Sequence, residues 1–213
     1  DPDHVLQPPY EMVHKLDCDL HKRIAQYLGQ VLGKQSSEIK KQLPALVLFT
    51  AGKLRVCHGG DLFRTKEVSR RFGALEQRNC YVRVGPSWSD TRNVSSSVLT
   101  QTGYGDLEKI IALVLPATLL FGELRGKTIV VTLVRPWDTD GKVASEEVVF
   151  FESRKARIIM DIRSLRAVVG LVKMRGRWGI IDRAPGTVTT TFADDMMEGY
   201  LHDEHGDDDD FIL

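Results

Sequence analysis

From residue 45 onward the apolar residues fall in short runs, each closed by Gly, Pro or charge. LVLFT, KLRVC, CYVRV, TIVVTLV, EVVFFES, ARIIMDI, AVVGLVKM and WGIID follow one another in this way. Runs this short, rich in β-branched and aromatic residues, read as strands. No strong helix separates them, which argues for a small barrel or curled sheet rather than a βαβ arrangement. One run is ambiguous. In YGDLEKIIALVLP, residues Ile110, Ile111, Leu113, Val114 and Leu115 would also suit a buried helix. Gly105 and Pro116 bracket a length too short for one, which favours a strand.

The first 44 residues have a different period. Residues 1–10 are Pro-rich and extended. Over 11–43, Leu16, Leu20, Ile24, Leu28, Val31 and Leu32 recur at spacings of three and four and make one apolar helical stripe. Asp17 or Asp19 is the expected cap, and Gly33 the expected end. SSEIKKQL starts a second helix with Ser36 or Ser37 as its cap, and Pro44 closes the unit. The class is therefore α+β, mainly β. A helical unit at 1–44 packs on a β domain at 45–192. The Ser/Thr-rich stretch 86–103 is a long loop, and an acidic, low-complexity, disordered tail occupies 193–213.

Charge divides the chain further. Net charge is zero, but from Asp194 to Leu213 there are nine acids and no Lys or Arg. Residues 1–193 therefore carry 29 basic against 20 acidic residues, a net of +9. Such a body suits an anionic partner, and the tail would compete for the same surface. No apolar run approaches the ~20 residues that span a bilayer. The opening DPDHVLQPPY lacks Met and has neither part of a signal peptide, so we expect an intracellular piece of a longer protein. Cys18, Cys57 and Cys80 have no metal-type spacing and read as reduced thiols. Neither a metal nor a cofactor is expected.

Enzyme signatures are missing: there is no phosphate-binding loop, dinucleotide fingerprint, zinc-protease or nucleophile-elbow motif. In CHGGD, Cys57 and His58 are adjacent and would point to opposite faces of a strand, so the segment reads as a Gly-Gly turn. An enzyme using His58 and Asp61 is the least favoured reading.

Basic residues gather in 53–92 and again in 154–183. The second group supplies the candidate nucleic-acid contacts Arg163, Arg166, Lys173, Arg175 and Arg177. Arg175 and Arg177 share one side of an extended segment, with Trp178 next, and guanidinium groups match phosphate geometry. The competing reading is an ordinary solvated sheet face with Trp178 in the core. Trp88, Trp137 and Trp178 all neighbour Gly, Pro or charge. Aromatic faces attract cations, so Tyr104, Trp137, Phe150, Phe151 and Trp178 could line a cation site, although aromatics in β folds more often fill the core.

Residues 103–174 resemble the bromo-adjacent homology (BAH) domain. The resemblance rests on the order YGDLEKI, TIVVTLVRPWDT, SEEVVFFES and SLRAVVGLV. Its landmark is the corner Arg135, Pro136, Trp137, Asp138 and Thr139, followed by Glu147–Ser153. The second element has an inserted residue and lacks the family's Asn. DPDHVLQPPYEM, GKLRVCHGGDLFR, YGDLEKIIALVLP, GKTIVVTLVRPWDTDGK and VVGLVKMRGRWGIIDR also resemble the C-terminal region of uncharacterised, mobile-element-associated proteins of mushroom-forming fungi. The BAH resemblance implies a β-rich module that binds histone tails or nucleosomes. It makes Trp137 and Tyr104 candidates for an aromatic rim, with Asp138 as charge partner, and Trp178 joins that rim on the aromatic-face reading above.

The expected function is thus a nuclear chromatin- or DNA-binding module within a larger mobile-element protein. The alternative is a protein-interaction or oligomerisation scaffold that binds no nucleic acid.

Overall fold

The computed structural model describes residues 3–13, 17–43, 47–71, 79–85, 102–174 and 176–183 of the chain. Among these residues strands outweigh helices. Trp88, most of the expected 86–103 loop and the whole acidic tail at 193–213 lie outside them.

The N-terminal segment is a sheet strand before it is a helix. β1 (His4–Val13) pairs antiparallel with β2 (Val47–Val56), and the register shifts between Gln7 and Tyr10. Pro8 and Pro9 sit at that shift, where the missing N–H donors interrupt the ladder. Helix was expected from residue 11, but Glu11–Val13 pair with Leu48–Thr50 instead. Tertiary pairing overrides the local helical pattern there.

α1 (Cys18–Leu32) follows the predicted stripe from Leu20 onward, and Leu16 lies outside the described residues. The Asp17 carboxylate accepts the Asp19 N–H at its start, and Gly33 ends it in the left-handed region at φ 62°. α2 (Ser36–Gln42) starts one residue earlier than expected: its cap residue is Gln35, whose side chain makes no capping bond. Leu20, Ile24, Leu28, Ile39 and Leu43 are buried against the sheet residues Leu48, Ile111, Leu113, Val131 and Leu133. Burying each such side chain contributes about 2 kcal/mol.

β5 (Gly103–Val114) is the central strand, as its apolar run suggested. On one side it pairs with β2 and with β4 (Tyr81–Val84), and on the other with β6 (Thr128–Pro136). Its neighbours Ile110 and Ile111 enter different cores, which is why the run is apolar without a break. The second core gathers Leu54, Phe63, Val82, Leu107, Ile110, Val134 and Met160. Phe63 comes from β3 (Leu62–Arg64), which pairs with the end of β2.

β6 carries β8 (Ile158–Asp161), and β4 carries β9 (Leu165–Val168). A single 3-10 turn, Ile162–Ser164, joins β8 to β9. The sheet therefore turns, but it does not close into the barrel that was one of the two expected forms. A separate three-stranded sheet, in the order β10 (Gly170–Met174), β11 (Arg177–Ile181) and β7 (Phe150–Phe151), covers a third core.

One helix had no sequence signal. α3 (Lys66–Arg71) has no apolar period, but Thr65 Oγ1 accepts the Val68 N–H at 3.4 Å and Val68 is buried. No helix among the described residues is long and apolar enough to cross a membrane.

Candidate binding face on the small sheet

β6 ends at Pro136, which has no donor for a continuing ladder. The chain then turns through Thr139–Lys142, where Asp140 and Gly141 both have positive φ and the Lys142 N–H donates to the Thr139 carbonyl at 3.0 Å. This is a tight turn of the type that Asp-Gly favours.

The aromatic corner before the turn is core rather than rim. Trp137 is 2% exposed and Tyr104 is 1% exposed. The Trp137 ring stacks on Phe151 at 4.4 Å and 3°, and Tyr81 meets it edge-on at 5.6 Å. The Trp137 N–H donates to the Tyr104 carbonyl from the backbone, while its buried indole Nε1 has no partner among the described residues. An open aromatic rim containing Tyr104 and Trp137 is thereby corrected: stacking and burial use up the ring faces a cation would need. Trp178 is 38% exposed, and its ring lies under Lys173 at 5.8 Å.

The Tyr104 hydroxyl and the nearby carboxylates do have partners. Tyr104 accepts the Ala144 N–H and donates to Asp182, both at 2.8 Å. Burial first, and then the bond to Asp182, push the phenol up to about 12. Arg83 holds the same Asp182 at 3.1 Å. Asp138, expected to serve a ligand, lies 2.9 Å from Lys155, whose bond holds the carboxyl below its ordinary range.

Beneath the corner lies a charge cluster that no motif announced. Asp106 is fully buried, and its Oδ2 accepts from Lys66 at 3.1 Å and from Arg154 at 2.8 Å. Arg154 also covers the outer ring face of Phe151 at 5.7 Å. Its three members are far apart in sequence, so only folding assembles it.

The five basic candidates do not form one patch. Arg163 is held by Asp161 through two bonds of 2.8 and 2.7 Å. Burial pushes the Asp161 carboxyl up, but the Arg163 side chain and N–H outweigh it, so the group stays below its usual range. Arg166 is exposed on β9 beside Gly85. Lys173 pairs in register with Trp178, and Met174 with Arg177, so Lys173 and Arg177 lie on opposite faces of the hairpin. Arg175 lies outside the described residues. Arg177 stands over Phe150 at 4.8 Å, not beside Trp178. Asp61 accepts the Val168 N–H at 2.6 Å and pairs with Arg183, while His58 sits exposed in the turn at φ 60°.

What the small sheet does leave open is its outer face. An open groove of about 440 Å³ runs along Ala144–Val148, Phe150, Val172, Met174 and Gly179–Asp182. Ile181 is 57% and Met174 51% exposed, and Val148 more so. Gly179 sits between Phe150 and Val172 on adjacent strands, where a Cβ would come within 3.1 and 3.3 Å of their side chains. Glycine at that position lets Phe150 and Val172 pack close over the strand backbone. An isolated Gly inside the WGII strand pattern was the one sequence signal for it. No family model, curated protein or solved structure matches the chain.

Proposed function

We propose that the chain is a BAH-like, chromatin-binding module of a larger, mobile-element-associated protein, acting in the nucleus on a protein tail more than on bare DNA. One observation carries the reading. The two sequence landmarks behind the BAH resemblance are in direct contact: Trp137 stacks on Phe151, and the Asp138 N–H donates to the Ser153 carbonyl at 3.1 Å. The preference for a protein tail comes from the small sheet, where an apolar groove is open while the basic candidates are dispersed or paired.

Titration with reconstituted nucleosomes, duplex DNA and histone-tail peptides at two salt concentrations tests the reading. The expected result is nucleosome and peptide binding that persists at higher salt, together with DNA binding that falls steeply as counterions regain the advantage. Failure to bind all three would overturn it and leave the interaction-scaffold alternative. Tight DNA binding with no peptide binding would move the site to Arg166, Lys173 and Arg177.

A further inference from the structure

We propose that the outer face of the small sheet docks an extended, cationic peptide, which adds as a strand to the edge of β10. The inference rests on the reading above that the module takes a protein tail, and it names the place and the chemistry.

Three features argue for this occupant. β10 is the end strand of its sheet, with β11 its only neighbour among the described residues. An edge of this kind offers backbone donors and acceptors to an incoming strand. The groove on the outer face of the same sheet has an apolar floor of Phe150, Val172, Met174 and Ile181, with Phe150 and Val172 packed close over Gly179. The charged residues lining it are Glu146, Glu147 and Asp182. Asp182 is already committed to Arg83 and Tyr104. Glu146 and Glu147 are exposed and have no ion pair among the described residues. They would receive a Lys or Arg of the peptide.

The two ends of the groove differ, and the difference orients the guest. Arg177 caps the Phe150 end. A cationic side chain is repelled there and drawn towards Glu146 and Glu147. The chain's own residues 184–213 suit the groove poorly, because they contain nine acids and no Lys or Arg. A second copy would bring its own Glu146 and Glu147 to an acidic rim.

The test is fluorescence anisotropy of the full chain with a labelled peptide of about ten residues alternating Lys and Val, against one alternating Glu and Val. The Lys peptide should bind at least about tenfold more tightly at low salt, and the Glu146→Gln, Glu147→Gln double variant should erase most of that preference. Gly179→Val should weaken the Lys peptide by about tenfold or more by displacing Phe150 and Val172 from the groove floor. Should Gly179→Val fail to fold, Met174→Lys alters only an exposed side chain and should have the same sign. Bound peptide should also slow hydrogen exchange at residues 170–174.

Unchanged affinity in Gly179→Val and Met174→Lys would overturn the inference. So would equal binding of the two peptides. A homodimer broken by Met174→Lys, with no peptide bound, would replace the peptide with a second copy. Exchange at 170–174 already slow in the free chain, with no peptide bound, would replace it with residues 184–213. Nucleosome binding is read separately. Nucleosomes bound without peptide would overturn the groove alone, whereas peptide bound without nucleosomes would overturn the chromatin reading and keep the groove.

Discussion

Phe150 and Phe151 are neighbours in a two-residue strand, and they belong to different worlds. Phe151 faces inward, 2% exposed, stacked on Trp137. Phe150 faces outward, with Arg177 over its ring and an open groove beside it. Each face of the small sheet is rich in apolar side chains, yet only the inner one is a core. The lesson is that the aromatic count of this region says little about where a ligand would sit. Strand alternation sends each residue to the stabilising face or the binding face.

Truncation of the two faces should therefore separate stability from binding. Trp137→Ala or Phe151→Ala should cost about 3–5 kcal/mol, with a melting temperature lower by roughly 10 °C. Phe150→Ala should cost only about 1 kcal/mol, because its ring is partly solvated already. Equal losses for the two phenylalanines in urea denaturation would break the comparison.

Asp106→Ala should cost about 3 kcal/mol, because Lys66 and Arg154 would face each other without the buried carboxylate that joins them. The same melting experiment reads it, and a loss below about 1 kcal/mol would mean that water replaces the pair. The inner face should also be sensitive to alkali. The folded Tyr104 phenol is raised above its unfolded value, so its stabilisation is complete below about pH 10. It is lost as pH rises through about 12, because the unfolded state ionises first. Tyr27 is shifted in the same direction by burial. Tyr104→Phe should remove part, not all, of the alkaline fall in stability between pH 10 and 12, as followed by chemical denaturation. The smallest effect belongs to the outer face. Met174→Ser should change stability by about 0.5 kcal/mol or less, yet weaken any peptide held in the groove.

Much of the fold could be read in advance. The helix stripe of Leu20, Ile24 and Leu28, the Gly33 terminator and the central strand are all local in origin. Each follows from residues within a few positions of one another. The binding candidates fared differently. Trp137 next to Pro and Asp suggested a rim, but the stacking partner that buries it is Phe151, fourteen residues along. Asp138 suggested a free carboxylate, and Lys155 takes it. α3 had no periodic pattern, because a short helix needs only Thr65 at its start and Val68 in the core.

By itself, then, the sequence determined the class, the helix ends and the uneven charge, since period and turn chemistry act over short distances. Strand lengths did not follow it: LVLFT and KLRVC form the one strand β2, and only Phe150–Phe151 of EVVFFES is strand. The tertiary structure alone decided which aromatics are buried, that β1 joins the sheet, that the sheet stays open, and that Asp106 gathers Lys66 and Arg154. It also decided that Phe150 and Val172 pack close over Gly179. All of these depend on register between distant strands, and a one-residue change in register reverses which face every side chain takes.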